Sequence, residues 1–147
     1  MSGRPKLSFS HMGIFVTDIN KMVDFYTRVL GLVISDRDLM KDGREIAFMT
    51  LDPSEHHQVV FATGRPADLS YNMIQQLSFR APDLTTLRET YKALKREPIV
   101  ELGPISHGNA ISAYFRDPEG NRFEVFIDTK WHVPQPCAEP VDLLKPD

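Results

Sequence analysis

The sequence predicts an α+β fold built from two paired βαβββ modules, which form a curved mixed sheet around a metal cavity with the helices outside. Three observations lead there. The chain aligns with itself without a gap when shifted by 65 positions: Asp18/Asp83, Tyr26/Tyr91, Ile34/Ile99, Gly43/Gly108, Ile46/Ile111, Asp52-Pro53/Asp117-Pro118 and Val60-Phe61/Val125-Phe126 are identical. Each half reads as a strand, a helix and three shorter strands. The repeat also relates His11 to Gln76 and puts Glu124 in the last strand, and all three side chains are able to bind a metal.

Taken in order, residues 8–16 (SFSHMGIFV) are rich in β-branched and aromatic side chains and predict a strand. Asp18 then offers an N-cap, and Ile19, Met22, Tyr26 and Val29 recur at helical spacing up to Gly31, a C-terminal stop. Strand-like runs follow at about 32–37, 44–51 and 57–63. Residues 64–71 (GRPADLSY) form a short linker, which implies that the halves pack directly on one another. In the second half Asp83 caps a helix carrying Leu84, Leu87, Tyr91 and Leu94, and Pro98 lies beyond its end. Runs at about 99–103, 111–116 and 122–128 complete the module. We therefore expect one domain over 1–130, with modules at about 8–63 and 72–128. Residues 131–147, with three prolines after His132 before a fourth at Pro146, predict an extended Pro-rich arm anchored by Trp131.

At 147 residues and 16.8 kDa the chain suits one compact domain. A net charge of −3 and a pI near 5.9 leave no basic footprint, which argues against nucleic acid and anionic membrane as partners and for a small molecule. The N-terminal MSGRPKLSFS has no apolar signal segment and no run is long enough to span a bilayer, so a cytoplasmic protein is expected. The single Cys137 has no intramolecular disulfide partner and no neighbouring base.

Strand alternation sorts the chemistry. His11 shares a face with Gly13 and Phe15, while Met12, Ile14 and Val16 suit a helix–sheet interface. Gln76, with Ser78 two residues on, matches His11 and Gly13. Glu124 stands opposite the apolar Phe123, Val125 and Ile127, and a carboxylate there must be solvated, paired or bound to a cation. Singly, His11 reads as a hydrogen-bonded structural residue, Gln76 as surface, and Glu124 as a partner for Arg122 or Arg80. Jointly they make three metal ligands with open positions for substrate. The position matching Glu124 in the first module is Val59, which has no donor atom. His57, two residues earlier, is expected on the cavity side as a general acid/base, with His56 pointing away. His107 and Tyr114 are candidates to donate hydrogen bonds to a bound oxygen.

The segments HMGIFVTDINKMVDFYTRVLGL and SHGNAISAYFRDPEGNRFEVF resemble the vicinal oxygen chelate superfamily, which includes glyoxalase I, bleomycin-resistance proteins and type I extradiol ring-cleavage dioxygenases. The resemblance spans about residues 8–128 and is strongest to the extradiol enzymes. It implies metal ligation by His11 and Glu124, acid/base work by His57, and substrate orientation by His107 and Tyr114, with Gln76 where those enzymes carry a second histidine ligand. It further implies cleavage of a small catechol-like diol by O2 with Fe(II), with Mn(II), Zn(II) or Ni(II) as other metals, in a homodimer. Two rivals follow from the same superfamily. One is a glyoxalase-like metal-dependent lyase or isomerase, and the other a non-catalytic protein that binds a small aromatic compound.

Overall fold

The structure is a computed structural model describing residues 5–146, and it falls into two compact units, one ending at Ala67 and the other starting at Asp68. Each unit is a βαβββ module, as the repeat predicts.

The first unit comprises β1 (Met12–Val16), α1 (Ile19–Arg28), β2 (Val33–Leu39), β3 (Glu45–Thr50) and β4 (Val59–Thr63). Asp18 caps α1 by accepting a hydrogen bond from the Lys21 amide at 3.0 Å. Past the helix the N–H groups of Gly31 and Leu32 bond back to the Thr27 and Tyr26 carbonyls, a turn that Gly31 permits by adopting φ 78°. The strands form one mixed sheet in the order β1-β4-β3-β2, with β1 and β4 parallel. Met22 and Tyr26 of α1 are fully buried, and the Tyr26 ring meets Phe61 of β4 edge-on at 5.0 Å. Ile14, Ala47, Val59 and Phe61 therefore form the helix-covered face, while Gly13, Phe48 and Val60 line the opposite one.

The second unit comprises β5 (Leu77–Arg80), α2 (Leu84–Leu94), β6 (Glu101–Ser106), β7 (Ala110–Arg116), β8 (Arg122–Asp128) and the two-residue β9 (Glu139–Pro140). Its sheet runs β5-β8-β7-β6-β9, again with the first and last module strands parallel. Leu87 and Leu94 form the buried face of α2 with Tyr91, which packs against Phe115, itself stacked on Phe123. Tyr91 also donates to Glu101 at 2.5 Å; burial and this carboxylate push its phenol up to about 12. The turn between β7 and β8 is held by Asp117, which is 4% exposed. Its carboxylate accepts from the Glu119 and Asn121 amides and from the Asn121 side chain, and Asn121 in turn accepts from Asn72. The family-like DPEGN segment is thus a clasp that starts β8 in a defined register.

Three expectations change. β1 starts at Met12, leaving residues 8–11 outside the strand. The residue matching Glu124 is Val60, not Val59: the row Gly13–Val60–Phe48 corresponds to Ser78–Glu124–Tyr114. The loop 51–58 between β3 and β4 is longer than the turn 117–121 between β7 and β8, and this slides the pairing against a gap-free sequence register. Finally, the arm is docked on the second unit. Trp131 is 60% exposed and is not the buried anchor, whereas Leu143 is 2% exposed and β9 pairs with β6. A Cβ added to Gly108 would come within 2.3 Å of Val133, so the arm lies directly on that glycine.

Asp83 caps α2 by accepting from the Thr86 amide at 2.7 Å, and this bond, together with that to the Thr86 side chain, lowers its carboxyl pKa. A lowered folded-state pKa stabilises above the unfolded value near 3.8, and that contribution disappears as pH falls through the folded value. Asp83→Ala should therefore lower the urea midpoint at neutral pH, and the deficit should shrink below pH 3. An equal deficit at pH 7 and pH 2.5 would show that the cap carries no charge-dependent part.

Candidate functional site

A carboxylate on the helix-free face of β8 organises the second unit. Glu124 is 7% exposed, so it must satisfy its oxygens inside the protein. Alternation and register place four donors around it. Ser78 on β5 donates to Oε2 at 2.5 Å and Gln76 Nε2 to the same oxygen at 3.0 Å. Ser112 on β7 donates to Oε1 at 2.5 Å, and the Tyr114 hydroxyl approaches that oxygen at 2.8 Å. These four donors are neutral. Neither arginine suggested by sequence is the partner: Arg80 pairs with Asp128, and the Arg122 guanidinium lies 4.4 Å over the Tyr114 ring.

The network continues from Tyr114. His107 Nε2 lies 2.9 Å from the Tyr114 hydroxyl, and its Nδ1 lies 2.6 Å from the Cys137 carbonyl oxygen. A carbonyl only accepts, so Nδ1 carries the proton of that bond. Burial, followed by the bond to Glu124, raises the Tyr114 pKa and keeps the phenol protonated at neutral pH. The arrangement is therefore a chain from backbone carbonyl to imidazole to phenol to carboxylate. Gln76, Glu124, His107 and Tyr114, four of the six residues singled out in the sequence, share one hydrogen-bonded network in the second unit.

The first unit holds the other two. The His11 and His57 rings are 4.2 Å apart, edge to face, and Phe48 is 5.0 Å from His57. His57 precedes β4 rather than lying on it, so strand alternation does not govern its direction. His56 does not point away: its Nδ1 is 2.8 Å from that of His57, its ring is 5.7 Å from Phe48, and its Nε2 faces Asp36 at 3.5 Å. The loop backbone turns both rings toward Phe48. Partial burial, then the neighbouring His11 and His56, lower the His57 pKa and favour its neutral form. Further along the same face, Gly13, Phe15, Arg44, Ile46, Val60 and Ala62 are among the residues lining an open cavity of about 290 Å³. Gly13 leaves β1 without a side chain beside it.

Sequence reasoning missed Ser112 and the arm as parts of this network. Ser112 lies two residues before Tyr114 and so had a strand-alternation signal. The Cys137 backbone carbonyl had none.

A buried anionic oxygen ringed only by neutral donors, with an amide beside it, suits a hard divalent cation as an added ligand. The Gln76 amide presents its nitrogen to Glu124, and a half-turn of the amide would present its oxygen instead. Among the described residues no three His, Cys, Asp or Glu side chains converge as ligands, and the candidate set contains one histidine, one carboxylate and one amide.

Comparison with known proteins agrees with this architecture. The chain is 31% identical over 133 residues to biphenyl-2,3-diol 1,2-dioxygenase 2 of Rhodococcus globerulus, covering 87% of this chain and 65% of that protein. It is 27% identical over 135 residues to a lactoylglutathione lyase of Arabidopsis thaliana, covering 89% of this chain and 47% of that protein. The chain thus spans between about half and two thirds of the length of these relatives. Among solved structures, a glyoxylase/bleomycin resistance protein/dioxygenase domain from Frankia sp. EAN1pec has a TM-score of 0.73 at 20% identity, covering 85% of this chain and all of that one. A fosfomycin resistance protein of Listeria monocytogenes, complexed with Mn(II) and sulfate, has a TM-score of 0.66 at 17% identity, covering 88% and 95%. With residues 8–125 matching its profile, the chain belongs to the Glyoxalase/Bleomycin resistance protein/Dioxygenase superfamily, the vicinal oxygen chelate proteins.

Proposed function

We propose that this protein is a metal-dependent extradiol-type dioxygenase acting with O2 on a small catechol-like diol, with His11, Gln76 and Glu124 holding a divalent metal, Fe(II) first among the candidates. The observation that carries this reading is the network around Glu124: a buried carboxylate held by neutral donors, next to an amide on one side and a phenol–imidazole pair on the other. The likeness to the biphenyl-diol dioxygenase supports the substrate class. When bound, the metal supplies a template for chelating two vicinal oxygens.

The chain's own residues do the rest. Tyr114 has one proton to give and two acceptors at hand, Glu124 and His107, so a substrate oxygen arriving beside it finds a donor already oriented. His57, favouring its neutral form, accepts a proton from a substrate hydroxyl and returns it later. Ser78 and Ser112 hold the Glu124 carboxylate in place. The first unit's cavity beside Gly13 is apolar except for Arg44 and suits an apolar group.

A lyase or isomerase is the second reading, favoured by the amide at Gln76 and by the likeness to a lactoylglutathione lyase. Uptake of O2 separates the two. Anaerobic loading with Fe(II), followed by a panel of catechols and then air, should give O2 consumption and a yellow ring-opened product; turnover of a hemithioacetal without O2 would establish the second reading.

Equilibrium metal binding tests the ligand set. The protein should bind about one divalent ion per chain, and Glu124→Ala should bind much more weakly. That variant also leaves the Ser112 and Tyr114 hydroxyls without their carboxylate, at a cost of about 1–3 kcal/mol in urea unfolding, so binding is measured where it is folded. Gln76→His should retain or strengthen Fe(II) binding, because imidazole is the better ligand. Clearly weaker binding by a folded Gln76→His would remove Gln76 from the set.

Rates test the histidines. His57→Ala should lower kcat by roughly two to four orders of magnitude with metal content unchanged. His56→Ala, which loses the bond to His57 but no reacting group, should lower it far less. Equal losses in the two variants would take the acid/base role away from His57.

A further inference from the structure

We infer that the C-terminal arm is a working part of the site, with Gln135 as a positioning residue that holds the Cys137 carbonyl against His107 Nδ1 and so keeps Nε2, which faces Tyr114, the accepting nitrogen. The inference rests on the reading of His107 and Tyr114 as groups that orient substrate oxygens.

One side chain makes the connection. Gln135 Nε2 lies 2.8 Å from the His107 carbonyl oxygen, 3.2 Å from Asn109 Oδ1 and 3.2 Å from the Val133 carbonyl oxygen. Its Oε1 accepts from the Cys137 amide at 3.1 Å. The same amide group thus grips the loop carrying His107 and the arm residue whose carbonyl meets His107 Nδ1 at 2.6 Å. Val133 packs on Gly108 from the same side, and Thr129 donates to the Gly108 carbonyl at 2.5 Å. The loop is therefore fastened to the arm at several points around one imidazole.

The chemical consequence is a tautomer. An imidazole has two nitrogens, and the partner of one decides the protonation of the other. Because the Cys137 carbonyl accepts at Nδ1, Nδ1 stays protonated, and a neutral His107 presents the lone pair of Nε2 to the Tyr114 hydroxyl. Without the carbonyl nothing fixes that choice, and the Nε2–H form would meet Tyr114 as a donor instead, redirecting the Tyr114 proton toward Glu124 alone. Orienting partners of this kind change activity by roughly 10–100-fold in metal sites when removed. Gln135 touches neither substrate nor metal in this scheme and acts only through His107.

The test is long-range 1H–15N spectroscopy of the full chain labelled at histidine, with the His107 signals assigned from His107→Gln. The parent should show a single His107 tautomer protonated at Nδ1. Gln135→Ala and the equally bulky Gln135→Met should both shift it toward a mixture containing Nε2–H. In catechol turnover both should lower kcat about 10-fold or more with a smaller change in KM. Asp142→Ala serves as control: it loosens the arm where Asp142 accepts from the Leu144 amide, away from His107, and should leave the His107 signals unchanged. If folded Gln135→Ala and Gln135→Met keep the parental Nδ1–H signature, or if Asp142→Ala shifts it as much, the inference is overturned. A parent with the expected tautomer shift in its variants but no O2 uptake with any catechol would sustain the positioning role and defeat the dioxygenase reading.

Discussion

The second unit is arranged around one constraint: a carboxylate removed from water needs its oxygens satisfied, and Glu124 is 7% exposed. Each neighbouring strand contributes to meeting it. β5 brings Ser78 into register with Glu124, Gln76 just ahead of that strand lies on the same side, and β7 brings Tyr114 opposite with Ser112 one pleat away. The Asp117–Asn121 clasp begins β8 where this register is obtained, so a slip of one residue would turn Glu124 to the apolar face, between Leu77 and Phe115. The polar network and the apolar core are thus two faces of one strand, and neither is correct without the other.

Duplication makes the contrast between the units informative. The row Ser78–Glu124–Tyr114 has as its counterpart Gly13–Val60–Phe48, in which the carboxylate and the two hydroxyls of the row are replaced by hydrocarbon or hydrogen. The same architecture therefore carries a polar network in one copy and an apolar face with an open cavity in the other. Polar groups in the first unit gather instead at the end of the sheet, where the longer β3–β4 loop brings His56 and His57 to Phe48 and His11. A buried network needs all its members, because each unpaired hydroxyl or carboxylate is costly.

The legibility of the site follows from how each residue is placed. Glu124 was legible because the two-residue period of β8 decides its direction, and Gln76, just ahead of β5, because the repeat matches it to His11. His107 and Tyr114 were legible from the family-like segment that contains them. His56 was not, since it lies on a loop, and alternation says nothing about a side chain off a strand. Val59 was misplaced for a related reason: the loop before β4 and the turn before β8 differ in length, and identities at a constant offset do not reveal a compensated shift.

Taken by itself, the sequence determined the repeated βαβββ order, the caps at Asp18 and Asp83, the apolar faces of both helices and the family, because these depend on short-range periodicity and local hydrogen-bonding chemistry. It also singled out His11, His57, Gln76, His107, Tyr114 and Glu124 as candidates, but not Ser112 or Gln135. Tertiary structure alone decided the strand registers, the identity of the four donors on Glu124, the approach of His56 to His57 and the docking of the arm. Those features join residues far apart in sequence, and the last of them uses a backbone carbonyl, a group every residue carries and no sequence pattern marks.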